Sequence, residues 1–501
     1  MANNFSGGLR LTGLDDFITP SQACIKPLAS SSSGSSNKVA ISLEDDGSYV
    51  QIHQSGTREV LSKAQISLND CLACSGCVTS AESVLISAQS LDQFRAEIQR
   101  VKEDPSRRLV VSLSPQSRAS LAHHFSLSLS DAHSRLVSLF KTHAAAAAVV
   151  DTSFSRSVSL LETLHEFLAR KRAPTASSSS PSSISPSLPM LSSACPGWVC
   201  YAEKRHGSYI LPYISTAKSP QQVMGAIVKR HLARSLETSP GQIFHVAVMP
   251  CYDKKLEASR PDFEDAAAGT KEVDCVLTTG EILEFIRDCG LAHLDVLPAH
   301  PLEGLPLSNF AASAESPFSV QPFASPGGSG GYAEYLYRHA ASILYQSPGA
   351  FTEPLPWVVS RNKDMQTATL SHEGKPVLKV SLVYGFRNIQ TLVRQIKSKR
   401  CDIDFAEVMA CPSGCLNGGG QIRPEASEDR SAASQVTQAL TSLYHSQANV
   451  LLPALPEGDI LQIYQEFCPT ESAPYSPLAR QHFHTRYHDI PPMESSLPLQ
   501  W

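Results

Sequence analysis

The sequence has no run of about eighteen apolar residues, the length a helix needs to cross a bilayer, and its longest candidate, residues 144–150, is a short alanine-rich stretch. Its first residues, MANNFSGGLRLTGLDDFITPSQ, lack the apolar core of a signal peptide and carry Asp15 and Asp16, so secretory and mitochondrial targeting fit badly. Basic residues are not in excess. Lys plus Arg number 42 against 47 Asp plus Glu, and the net charge of -5 argues against a nucleic-acid binder held by a cationic face. No G-x4-G-K-S/T occurs, so a P-loop nucleotide hydrolase is not supported. No repeat of fixed period is visible. Thirteen cysteines are too dilute in 501 residues for a disulfide scaffold, and their number is odd. In a reducing cytosol, the compartment these absences leave, grouped cysteines are metal ligands or redox groups.

What is present reads as a mostly folded chain. Hydrophobic residues make up 42% and charged residues 18%, and the length allows about three domains. Two segments have almost nothing to bury and are expected to be disordered: serine-rich 29–37, and the Ser/Pro mixture 174–193, an inserted surface loop. Elsewhere short apolar runs at 109–113, 243–248, 273–277, 378–383 and 403–409 suit buried parallel strands. Helical spacing follows two of them, at 281–287 and 388–397. Strand then helix, repeated, predicts an α/β fold with a parallel sheet, whose ligands gather beyond the carboxyl ends of the strands. Cys251 and Cys411 each come immediately after a predicted strand.

Near the N-terminus, NDCLACSGCVTS places Cys71, Cys74 and Cys77 as C-x2-C-x2-C. Two-residue spacers let one tight loop deliver successive thiolates to different irons of a cubane, with Gly76 freeing the turn. A bacterial ferredoxin run would continue with x3-C-P, and residues 78–82 contain no cysteine. The fourth ligand must come from elsewhere. Cys24, in TPSQACIKP, is the nearest cysteine upstream. Structural zinc is the rival reading, but it usually takes two separated C-x2-C knuckles.

Three further motifs lie in the α/β region: SSACPGWVC with Cys195 and Cys200, MPCYDKKLE with Cys251, Lys254 and Glu257, and FAEVMACPSGCLNGGGQ with Cys411 and Cys415. Two cysteines from one loop beside three glycines, Gly418 to Gly420, allow close backbone approach and amide hydrogen bonds to cluster sulfurs. The chemistry points to a second four-cysteine site.

These three motifs resemble the active-site signatures of iron-only hydrogenases. Together with Cys24 and the C-x2-C-x2-C loop, they resemble the cytosolic iron–sulfur protein assembly factors of the hydrogenase-like family, also called the nuclear prelamin A recognition factor-like family. The likeness runs from Asp15 to the C-terminus apart from the serine-rich insertions. It implies an α/β, iron-only-hydrogenase-like two-lobed body with parallel sheets, residues 106–480, preceded by a small cluster domain, 1–105, and followed by a tail, 481–501. It further implies two four-iron four-sulfur clusters, one on Cys24, Cys71, Cys74 and Cys77 and a more buried one on Cys195, Cys251, Cys411 and Cys415.

One departure separates the relatives. Hydrogenases carry a second cysteine directly before the CPGW cysteine, as a proton relay to a di-iron subsite; here that residue is Ala194. Loss of a positioned proton donor typically costs about 10²–10⁴-fold. Lys254 and Glu257, whose counterparts support the di-iron cofactor, persist. The resemblance therefore implies not an enzyme but a late assembly factor, in cytoplasm and also nucleus. It would link a P-loop NTPase scaffold to a targeting complex with β-propeller and helical-repeat subunits. The ending Leu499-Gln500-Trp501 resembles an aliphatic–acidic–Trp docking tripeptide, with Gln500 departing from the acidic preference. A hydrogenase, or another iron–sulfur oxidoreductase, is the alternative.

Five cysteines stay outside both sets. Cys275, in a predicted strand, and Cys289, near a helix end, read as small buried hydrophobes, as do Cys401 and Cys468. Cys200 is read as non-ligating. His482, His484 and His488 read as a solvated cluster near a polar terminus. The glycine-rich stretch 327–331 is expected to let backbone pack near the second cluster.

Overall fold

The apolar runs carry no period-two alternation because both faces of each strand are covered. The computed structural model describes three strands ahead of residue 61, namely β1 (Ala40–Leu43), β2 (Tyr49–Ile52) and β3 (Arg58–Val60). It then describes residues 80–172, 188–265, 269–300, 328–347, 349–360, 362–423, 430–446 and 455–490. The chain divides into two units, Met1–Ser83 and Val84–Trp501. In the first, β1 pairs antiparallel with β2 and β2 with β3. Cys24, Cys71, Cys74, Cys77 and residues 29–37 lie outside the described residues.

The second unit holds two larger sheets. One is wholly parallel, in the order β10-β7-β4-β5, from β4 (Arg108–Leu113), β5 (Ala148–Asp151), β7 (Ile243–Met249) and β10 (Cys275–Thr278). A short antiparallel pair, β8 (Glu264–Asp265) with β9 (Thr270–Lys271), precedes β10. The helices Leu91–Glu103, Leu129–Ala144 and Thr279–Asp288 bury Phe94, Phe140 and Phe285 on one face of the parallel sheet. The helices Ser153–Arg172, Pro220–Ile227 and Gly458–Phe467 cover the other.

The other large sheet runs β11-β12-β13-β14-β6, from β6 (Met190–Ser192), β11 (Trp357–Val359), β12 (Met365–His372), β13 (Lys375–Tyr384) and β14 (Phe405–Met409). It is mixed: β13, β14 and β6 are parallel, whereas β11 and β12 add on antiparallel through the tight turn at Glu373-Gly374. Only half of this sheet therefore matches the parallel expectation.

Three expected boundaries shift. Within the stretch 174–193, expected to be disordered, Met190–Ser192 is a buried strand on the edge of β14. The division expected at 105 falls after a helix, Leu91–Glu103, that buries Leu91, Phe94 and Ile98 in the body's core. The tail expected from 481 begins inside the helix Pro477–Phe483, and residues up to 490 still bond to the body, as where Ile490 donates its amide to the Glu203 carbonyl at 3.2 Å. No helix among the described residues is long and apolar enough to cross a membrane.

Candidate metal centre

Three strand ends from two sheets deliver three of the cysteines. Cys195 follows β6, Cys251 follows β7 and Cys411 follows β14. Cys415 comes from the loop after Cys411, as the first residue of the single turn Cys415–Asn417. In the parallel sheet, β7 and β5 flank β4 on opposite sides, so the chain reverses its direction of build at β4/β7, where an open α/β sheet leaves a crevice.

Local chemistry fixes each residue. Cys195 precedes Pro196 and caps the helix Pro196–Arg205, whose positive N-terminal end favours thiolate. Its amide donates to the Ser193 hydroxyl at 3.0 Å, and that hydroxyl donates to the Val408 carbonyl, pinning β6's exit to β14. The amides of Ala410 and Trp198 donate to the Cys195 sulfur. The Gly418–Gly420 loop is held against the residue before Cys251: a Cβ at Gly418 would lie 2.3 Å from the Pro250 carbonyl oxygen, and the Gly420 amide donates to that oxygen at 2.8 Å. The Gly418 amide goes to the Cys415 carbonyl at 3.0 Å. These two amides are thus spent on backbone rather than aimed at sulfur, and the glycines serve close approach. Gln421 continues the clamp, accepting from Thr279 at 2.7 Å and donating to the Gln116 carbonyl at 3.1 Å.

The four thiols feel one another. Cys251 is in electrostatic range of Cys195, Cys411 and Cys415, and Cys411 of Cys195 and Cys415. Burial first, then Asp253 and Cys415, pushes the Cys195 thiol up to about 12. Burial likewise lifts Cys251 and Cys411 well above the ordinary thiol range. At Cys415 burial raises the value while hydrogen bonding from Ser329 and the Lys254 charge oppose it. Four such groups deprotonated together in a desolvated pocket require a positive partner, and metal binding supplies one by displacing the protons outright. The donor set thus fits an iron–sulfur cluster with four thiolates. Among the described residues no three Cys, His, Asp or Glu side chains converge as they would around a single ion. A cubane spreads its ligands more widely, one thiolate to each iron.

Two groups here were not singled out from sequence. Asp253 is a half-buried carboxylate whose pKa desolvation raises, and it faces Cys195, Cys251 and Cys411. Ser329, inside the glycine-rich stretch, accepts the Cys415 amide at 2.9 Å, while Gly328 accepts from Gln116 at 2.9 Å. Gly327 lies outside the described residues. Asp253 lies inside the MPCYDKKLE motif, two residues after Cys251; nothing in the local pattern marks Ser329.

Lys254 and Glu257 form an ion pair at 2.7 Å, both over 90% buried, and Glu257 also accepts from Ser219. Beside them a cavity of about 30 Å³ is bounded by Ala194, Cys195, Cys200, Glu257, Arg260 and Tyr487. That is room for about one water molecule. Burial pushes the Cys200 thiol up to about 12. Cys275 and Cys468 are fully buried, and Cys289 and Cys401 partly so.

The histidines are not one solvated cluster. His484 is buried, with Nε2 2.8 Å from Glu162 and Nδ1 2.7 Å from the Thr216 hydroxyl. Burial, then Arg230, depresses His482 to about 4. Only His488 fits the expectation, largely exposed beside Asp262. Both partners of His484 are distant in sequence, the buried Glu162 carboxylate on the helix Ser153–Arg172 and the Thr216 hydroxyl, so the local segment does not reveal its burial. Leu499, Gln500 and Trp501 lie outside the described residues.

Residues 107–419 match the family described as iron only hydrogenase large subunit, C-terminal domain. The chain is 48% identical to cytosolic iron-sulfur assembly component 3 of Mus musculus and 47% identical to cytosolic Fe-S cluster assembly factor narfl of Xenopus tropicalis. It is 41% identical to protein NAR1 of Arabidopsis thaliana, and in all three cases the whole of both chains is covered. Among solved structures it is similar to an apo FeFe-hydrogenase from Chlamydomonas reinhardtii, with a TM-score of 0.61 and 24% identity over 80% of this chain and 98% of that one. At that identity the likeness is one of fold.

Proposed function

Because the chain belongs to the cytosolic iron–sulfur cluster assembly factors built on an iron-only hydrogenase large-subunit domain, we propose that it carries two four-iron four-sulfur clusters and joins a P-loop NTPase scaffold to the complex that targets apoproteins. It takes part in cytosolic iron–sulfur protein assembly. One cluster is assigned to Cys24, Cys71, Cys74 and Cys77, the other to Cys195, Cys251, Cys411 and Cys415. Its partners are the scaffold and the β-propeller and helical-repeat subunits of the targeting complex, reached through Trp501, in cytosol and nucleus.

The observation that carries the cluster reading is the mutual coupling of four thiols, Cys195 buried and Cys251, Cys411 and Cys415 half-buried, beyond β6, β7 and β14. When bound there, a cluster supplies one-electron storage and irons whose ligands exchange. The chain's own residues do the rest. Cys195, held by Ser193, presents its sulfur to the Ala410 and Trp198 amides, which favour its anionic form. The Gly418–Gly420 clamp keeps Cys415 and Cys251 in register. Ala194 offers no proton, and the cavity it lines, about 30 Å³, has room for about one water. Both features favour a carrier over a hydrogen-converting enzyme.

Cells depleted of the protein test the role. Re-expressed wild type should restore iron incorporation into a cytosolic iron–sulfur enzyme, and Cys411→Ala should not. Rescue by Cys411→Ala, or hydrogen evolution by the iron-loaded protein, would overturn the reading.

A further inference from the structure

Behind the Cys415 turn runs a chain of hydrogen bonds that ends on a buried carboxylate. The Ser329 hydroxyl bonds to Cys415, accepting its amide at 2.9 Å and bonding to its sulfur. Ser329 also bonds to the Tyr384 hydroxyl, and Tyr384 donates to Glu407 Oε1 at 2.9 Å. Glu407 Oε2 accepts the Ala333 amide, also at 2.9 Å. Glu407 is fully buried in β14, and Tyr384 ends the adjacent β13. Among the described residues no cation pairs directly with this carboxylate. The charged and titratable groups facing it are Glu334 and Tyr332 on the helix Tyr332–Tyr345, Arg156 on the helix Ser153–Arg172, Tyr384 on β13 and Cys415.

We propose that Glu407 is the proton partner of the second cluster, taking one proton from solvent for each electron that site accepts from a low-potential one-electron donor. The inference rests on the reading that Cys195, Cys251, Cys411 and Cys415 hold that cluster. The balance is one electron in and one proton onto a Glu407 oxygen, with no bond broken in the protein.

The chain of hydroxyls gives the coupling a direction. With Glu407 ionised, Tyr384 spends its only hydrogen on the carboxylate, and the single hydrogen of Ser329 must be divided between the tyrosine oxygen and sulfur. With Glu407 protonated, its O–H donates to the tyrosine oxygen, Tyr384 donates to Ser329, and Ser329 donates to Cys415. Every donor then points at sulfur, the arrangement that favours the more electron-rich reduced site. By linkage, a proton that favours reduction is itself bound more tightly on reduction. Burial already lifts the Glu407 carboxyl to about 7, against opposing bonds from the Ala333 amide and Tyr384.

The test is a potentiometric titration, followed by electron paramagnetic resonance, of the full chain reconstituted under anaerobic conditions, from pH 6 to 8.5. The second site's signal is the one retained in Cys71→Ala and lost in Cys411→Ala. Its midpoint should be flat on the acid side and then fall with rising pH by close to 59 mV per tenfold change in proton activity, the one-electron limit. Glu407→Gln should hold it flat throughout. Tyr384→Phe removes a donor that holds the acid down and cuts the hydroxyl chain to Cys415, so the break should move to higher pH and the fall should become shallower. Should Glu407→Gln fail to retain iron, the Tyr384→Phe shift decides, together with the reduced-minus-oxidised infrared band of a protonated carboxyl in wild type. A pH-independent midpoint in wild type, a slope unchanged in Glu407→Gln, or no such band overturns the proposal. Loss of any signal dependent on Cys411 would instead overturn the cluster reading.

Discussion

The Gly420 amide donates to the Pro250 carbonyl at 2.8 Å, tying the loop behind β14 to the loop behind β7. One hydrogen bond thus sets the spacing between cysteines that are 160 or more residues apart in sequence, and Gly418 crowds the same carbonyl.

Gly418→Ala follows directly. A Cβ there would stand 2.3 Å from the Pro250 oxygen, closer than any real contact, so the two loops must part. The expected cost is about 1–3 kcal/mol, as for other overpacked sites. Chemical denaturation of the metal-free protein reads the loss, and iron content after reconstitution should fall at the second site alone.

Glu162 collects three donors in the core: the Tyr464 hydroxyl, the Tyr475 amide at 2.8 Å and His484 Nε2 at 2.8 Å. Glu162→Ala leaves them without an acceptor, each costing about 1–3 kcal/mol when buried and unsatisfied. Thermal unfolding should show a loss of several kcal/mol, with release of residues 475–484 detectable by limited proteolysis. A change below 1 kcal/mol would show that the network is dispensable.

His133 predicts an acid limit to stability. It is fully buried, neither ring nitrogen has a hydrogen-bond partner among the described residues, and burial depresses it to about 4. Between pH 6.5 and 4 the unfolded chain therefore binds a proton that the folded chain refuses, and stability falls as pH falls through that window. The full effect is about 3 kcal/mol. His133→Phe should be near neutral at pH 7.5 and stabilising relative to wild type at pH 5; equal effects at both values would contradict this.

The strands that deliver Cys251 and Cys411 were legible because doubly covered strands are mostly apolar, with His245 in β7 and Glu407 in β14 the exceptions. β6 was not, since three residues at the end of a Ser/Pro segment carry too little pattern, and its identity comes from pairing with β14. The mixed character of its sheet was hidden as well: β12, Met365–His372, is half polar because its outer positions are not covered. Cysteine spacing exposed the ligands, whereas Ser329, Tyr384 and Glu407 form a unit only in space, from three elements with nothing unusual locally. His484 misled for the same reason.

Cys200 separates spacing from geometry. It lies on the same helix as Pro196 and lines the small cavity beside Cys195. Cys200→Ala should leave iron content unchanged, whereas Cys195→Ala should lose about four irons per chain. Equal losses would move the ligand assignment to Cys200.

The N-terminal and body sites should also differ in what they hold up. Cys24→Ala with Cys71→Ala should give a stable protein with fewer irons, since the body folds around its own core. Cys411→Ala should lower yield and melting temperature together. Equal protein loss in both would contradict the division into an exchangeable and a structural site.

The most direct test of the whole account is metal and sulfide analysis of the anaerobically purified chain. It predicts about eight irons and about eight acid-labile sulfides per chain, with zinc near zero. Stoichiometric zinc without sulfide would contradict it.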